Sequence, residues 1–91
     1  MSVEILYPLV TEAIRRAETF RDLGNPGARD AHLEVSLLEE KIAESLPVSD
    51  PEGALARRGA VRAALAAGDL TRAGRLTARF LEERDANSPD G

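Results

Sequence analysis

Three clusters of glycine, proline and polar residues cut this chain into four pieces: Gly24-Asn25-Pro26-Gly27, Pro47-Val48-Ser49-Asp50-Pro51 and Gly68-Asp69. Such clusters stop regular structure and turn the backbone. Every piece between them repeats its apolar residues at helical steps of three and four, and none alternates like a β-strand. The pattern predicts an all-α fold, a small bundle of four helices near residues 4–23, 28–46, 51–67 and 69–84. Short turns make these two antiparallel helical hairpins, 4–46 and 51–84, within a single helical domain 1–84, and the polar run 85–91 reads as a disordered tail.

In the first helix Val3, Leu6, Val10, Ala13, Ala17 and Phe20 form one stripe, widened by Leu9 and Ile14. Pro8 lacks an N–H and is comfortable only in a first turn, so the helix starts near Ile5 or kinks there. In the second helix Ala28, Ala31, Val35, Leu38, Ile42 and Ser45 repeat the pattern. Leu33 and Leu37 lie on roughly the opposite side, so this helix touches something on both sides, and Leu33 and Leu37 are the candidate protein interface. The third helix opens on Asp50-Pro51, an N-cap acid followed by proline at the first helical position. Its Ala56, Gly59, Ala60, Ala63 and Ala67 form a small-residue face. Leu55, Val61 and Leu65 lie on the other side, with Arg58 and Arg62 among them. That local conflict marks a place where a site or an unusual pairing sits. At least one of these arginines is expected near the core margin, paired with Glu34, Glu39 or Glu44, or else turned to an acidic partner. The fourth helix takes Asp69 as its N-cap, turns Ala73, Leu76, Thr77, Phe80 and Leu81 inward, and points Arg72, Arg75 and Arg79 outward.

Charge is divided along the chain. Residues 1–50 carry five basic and ten acidic side chains, a net −5, whereas residues 54–81 carry six arginines against Asp69, a net +5. The first half either neutralises the second within the fold or leaves it to face an acidic partner. A 91-residue chain without cysteine buries a modest core and has no disulfide to help it, which makes self-association, a homodimer for instance, a reasonable source of stability. The absence of cysteine also fits a cytoplasmic location. No apolar run is long enough to cross a membrane, and no basic stretch precedes an apolar segment as in a secretory signal.

The chemistry-bearing residues are few. His32 is the one histidine, and a bundle di-iron site would need glutamate three residues before it, where Arg29 stands. It reads as a surface or boundary residue. Glu39, Glu40 and Glu44 read as a solvated helix face. The glycines form no phosphate-cradling loop, and no Gly-x-Ser-x-Gly elbow is present. The expectation is a protein that is not an enzyme and needs no metal or organic cofactor.

The stretch Ala66-Ala67-Gly68-Asp69-Leu70-Thr71-Arg72-Ala73 resembles the inter-helix turn of a tetratricopeptide repeat, with Gly68, Asp69 and Ala73 matching and Ala78-Arg79-Phe80-Leu81-Glu82-Glu83 continuing it. The first-helix signature of tryptophan, leucine-glycine and tyrosine is missing, and the likeness spans a third of the chain without a second copy. The resemblance implies peptide or protein binding. The expected function is a helical protein-interaction module (an accessory subunit, regulator or adaptor) that binds a protein partner or itself. The alternative is a nucleic-acid-associated regulator using the basic third and fourth helices. The lack of stacking aromatics and of helix-turn-helix anchors, with Gly74 and Thr77 at the anchor places, weighs against it.

Overall fold

The computed structural model describes residues 2–86. It contains four helices and, among the described residues, no strand: α1 (Val3–Asp22), α2 (Ala28–Ser45), α3 (Pro51–Ala66) and α4 (Leu70–Ala86). The fold is the small all-α bundle of two antiparallel hairpins that the sequence pattern predicts. Helix α4 runs two residues past the expected end, so Asp85 and Ala86 are helical and not part of a disordered tail, and residues 87–91 lie outside the described residues.

The turn residues explain where the helices stop. At the end of α1, Gly24 takes φ +65°, its N–H bonds the Arg21 carbonyl at 3.1 Å, and the Asn25 N–H reaches the Phe20 carbonyl at 2.8 Å. The end of α3 repeats this arrangement: Gly68 at φ +75°, its N–H on Leu65 O at 2.9 Å, and the Asp69 N–H on Ala64 O at 3.0 Å. Both are Schellman caps, which need a residue in the left-handed region and therefore glycine. Asp69 then accepts the Arg72 N–H at 2.9 Å, so one residue closes α3 and opens α4. Asp50 caps α3 in the same way, accepting the Glu52 N–H at 2.8 Å. Pro8 departs from expectation. The helix begins at Val3, capped by Ser2, so Pro8 stands in the second turn, on an exposed face, with no N–H to give the Glu4 carbonyl.

The helix backbones approach one another closely only in chain order: α1 on α2, α2 on α3 and α3 on α4, with the α2–α3 interface the most extensive. The result is a flattened body of 48 × 28 × 17 Å. Leu6, Val10, Ala13 and Ala17 of α1 pack with Ala31, Val35 and Ile42 of α2. On its other side α2 presents Ser36 and Ala43, both buried, to α3. Helix α2 is therefore two-sided, as expected, but its second buried face is Ser36–Ala43, not Leu33–Leu37. Small residues decide this. Ala56, Ala60, Ala63 and Ala64 of α3 are buried, and their lack of bulk lets α3 come close enough for the Ser36 hydroxyl to donate to the Ala60 carbonyl at 2.7 Å.

Candidate functional site

The arginines of the second half fall into two groups. The first group is consumed by the fold. Arg72 is buried, contrary to the outward direction expected of it. Its Nε donates to Ser36 Oγ at 3.0 Å, and its Nη2 donates to Glu40 Oε1 at 2.5 Å. Arg79 donates to the other Glu40 oxygen at 2.8 Å and lies 5.0 Å from the centre of the Phe80 ring. Arg57 donates to Glu83 at 2.8 Å and to the carbonyls of Gly53 and Leu46, with its guanidinium 5.7 Å from the centre of the same Phe80 ring. Glu40 is thus no solvated carboxylate. Burial pushes its carboxyl up, but the hydrogen bonds and charges of Arg72 and Arg79 outweigh burial and hold it below the ordinary carboxylate range.

The second group faces solvent. Arg58 and Arg62, expected at the core margin, are both exposed. Among the described residues neither makes an ion pair within 4 Å with Glu34, Glu39 or Glu44, but Arg62 shares a cleft with Glu39 and its charge acts on that carboxylate. The alanine face of α3 is what turns to α2, so the margin positions fall to Arg57 and Arg72, and residues 58 and 62 are rotated outward. Arg75 and Arg84 are exposed as well, and the contact from Arg84 to its neighbour Asp85 is a loose 4.0 Å.

Beside these exposed guanidinium groups α3 and α4 form an open groove of about 520 Å³. Val61, Leu65, Phe80 and Leu81 give it an apolar floor to which Val48 adds, and the exposed Arg58, Arg62 and Arg84 form its charged rim. A second depression of about 490 Å³ shares Val61, Leu65 and Leu81 and continues the apolar strip to Leu70. The leucines remain open to water: Leu65 is 53% exposed, Leu70 71% and Leu81 44%. This strip coincides with the conflict of leucines and arginines visible on the α3 helical wheel. Thr77 and Leu81, expected to turn inward, belong to this outer surface instead. Leu33 is half-buried and Leu37 is 46% exposed on α2, away from the groove lining.

A smaller cleft of about 330 Å³ between α1 and α3 has α2 at its base and brings His32, Glu39, Glu18 and Arg62 around one space. The sequence alone gave Glu39 neither a cleft nor a histidine nearby. The Glu39 carboxylate lies against Gly59, where a Cβ would collide with it. Burial raises its pKa, and the charge of Arg62 offsets this in part. No serine, threonine or cysteine lines the cleft to act as a nucleophile. Among the described residues no cluster of three or more His, Cys, Asp or Glu is arranged to hold a metal ion. No described helix is long and apolar enough to cross a membrane.

Comparison with known proteins gives no relative: no family model, no curated protein and no solved structure matches the chain. The tetratricopeptide-like turn of residues 66–73 is, structurally, the Schellman-capped junction of a helical hairpin.

Proposed function

We propose that this protein is a non-enzymatic, helical protein-interaction module whose docking surface is the groove between α3 and α4. The observation that carries the reading is the coincidence of an open leucine-rich floor with the exposed arginines Arg58, Arg62 and Arg84 beside it. Apolar area supplies affinity when it is covered, and the surrounding charges select the partner and its orientation. The groove is a stronger candidate than Leu33 and Leu37, which form a small patch, one of whose members is already half-covered. Affinity purification from cells, with Leu65→Asp/Leu81→Asp beside the wild type, tests the reading. A protein recovered with the wild type and with Leu33→Asp/Leu37→Asp, but lost from the groove variant, is the expected result. Loss with the α2 variant alone would move the interface to Leu33 and Leu37.

Nucleic acid is the second reading, favoured by the exposed Arg58, Arg62, Arg75 and Arg84. It predicts binding that falls steeply as salt rises, whereas binding driven by the leucine floor changes much less.

A further inference from the structure

We propose that the occupant of the α3–α4 groove is an acidic amphipathic helix of a partner protein, about three turns long. The inference rests on the groove being the docking surface and adds the chemistry of what docks.

Four features of the groove lead there. The first is its length. Ala54 to Leu65, the span of α3 that lines the groove, is eleven steps along the helix, and at about 1.5 Å per residue it runs roughly 16 Å, the length of a helix of about eleven residues. The second is the absence of a backbone partner. The groove walls are two helices whose N–H and C=O groups are used internally, so an extended peptide would lay unpaired amides on Val61, Leu65 and Leu81. A helix satisfies its own backbone and offers only side chains. The third is charge. Arg58 and Arg62 stand four residues apart on one rim, and Arg84 lies beyond Phe80 and Leu81 on α4. Carboxylates repeated at the same four-residue spacing beside an apolar stripe meet the first two in register. The fourth is the state of the aromatic ring. Phe80, the one aromatic in the groove, has the guanidinium groups of Arg57 and Arg79 at 5.7 and 5.0 Å, so it is not free to stack on a base, and the rest of the floor is aliphatic. The groove therefore suits leucine-like side chains flanked by carboxylates.

The test is fluorescence anisotropy with the full chain and three synthetic 14-residue helix-forming peptides. One carries leucines at a three-four spacing flanked by glutamates, one has the same leucines with lysines in place of the glutamates, and one keeps the glutamates with serines for the leucines. Binding of the first peptide alone is expected. It should weaken roughly tenfold in Arg58→Glu/Arg62→Glu and be unchanged in Arg75→Glu, an exposed arginine outside the groove. The lysine peptide should gain affinity for the Arg58→Glu/Arg62→Glu variant. Circular dichroism confirms that each variant folds, as substitution of exposed residues allows. Equal binding of glutamate and lysine peptides, lost together in Leu65→Ser/Leu81→Ser, would overturn the acidic helix and leave the docking groove standing. Binding that ignores Leu65 and Leu81 would overturn both. A wild-type oligomer in light scattering that Arg58→Glu/Arg62→Glu dissolves to a folded monomer would give the groove to a second copy of this chain, and the inference would fail.

Discussion

Replacing Glu40 with alanine should destabilise the protein far more than any surface charge in it. The carboxylate accepts from Arg72 at 2.5 Å and from Arg79 at 2.8 Å, and the Arg72 guanidinium is fixed from its other side by Ser36, which in turn holds the Ala60 carbonyl. Removing one member of a fully buried ion pair costs roughly 3–5 kcal/mol, because the other charge is left without compensation. The pair here is not sealed. The side chains of Arg72, Glu40 and Arg79 keep 11%, 17% and 39% of their exposure, and Arg79 can turn to water. A discount for that solvent access brings the expected loss to about 2–3 kcal/mol. A chain of this length has about 5–14 kcal/mol in all, so the loss is a large fraction of the total. Arg79→Ala should cost under about 1 kcal/mol, as a half-exposed partner does. Replacing both buried charges, in Glu40→Leu/Arg72→Met, should bring stability back to within about 1 kcal/mol of the wild type, since the one charge that loses its partner, Arg79, is 39% exposed and still has Glu83 at 3.8 Å. Urea unfolding followed by circular dichroism measures all four proteins, with unchanged m-values confirming that the same structure unfolds. A Glu40→Ala loss within about 0.5 kcal/mol, or a double variant less stable than Glu40→Ala, would refute the reasoning. The folded protein depresses the Glu40 pKa below its ordinary 4.5. Its stabilisation is therefore present above that value and is lost as pH falls through the lower folded one.

Glu39 should behave in the opposite sense. Its folded pKa is raised, so its contribution is most favourable below pH 4.5 and is lost as pH rises through the folded value. Glu39→Gln should therefore be more stable than the wild type at neutral pH, with the difference shrinking on acidification in a pH series of thermal melts. Two glycines should respond with opposite signs in urea unfolding. A Cβ at Gly74 meets open space, so Gly74→Ala should gain about 0.5–1 kcal/mol. A Cβ at Gly53 would stand 2.6 Å from the Pro47 carbonyl oxygen, which is backbone and cannot swing aside, so Gly53→Ala should lose about 1–3 kcal/mol. Tyr7, the one tyrosine, donates to Glu52, and that hydrogen bond is the main cause that pushes its pKa up to about 12. Absorbance titration should show it ionising well above the ordinary 10.0, with Glu52→Gln returning it towards that value.

The helices and their ends were legible in the sequence because local chemistry decides them. Gly24, Gly68, Asp50 and Asp69 do in the structure what glycine and aspartate do at helix ends anywhere. The pairing of side chains was not legible, because it depends on which face of α3 meets α2. On the α4 wheel Arg72 adjoins Ala73 and Leu76, and a rotation of less than one residue's arc decides whether it is inside or out. Its place is set by Ser36, a small polar residue in mid-helix that reads locally as neutral. The spacing Ser36, Glu40, Ala43 is the signal that a second helix approaches there, a face defined by small and polar residues, whereas hydrophobic periodicity drew attention to Leu33 and Leu37. The groove was half visible, since Arg58 and Arg62 among Leu55, Val61 and Leu65 already broke the amphipathic pattern. What the sequence alone could not supply was α4, whose Phe80 and Leu81 complete the floor.

The packing of helices in chain order also governs how the protein reaches and leaves its native state. Each close backbone interface joins neighbours in sequence, so little loop entropy is lost before contacts form, and chains of such low contact order fold in microseconds to milliseconds. The α2–α3 pair, with the most extensive interface, is the natural nucleus, and its amides should exchange with solvent slowest. Helix α1 has close backbone packing on one side only, so it can open without the rest. Helix α4 sits at the other end of the stack, but Arg72 and Arg79 tie it across α3 to Glu40. That clasp gives the last helix a long-range tether that chain-order packing alone would deny it, and it makes the rate at which α4 detaches sensitive to acid.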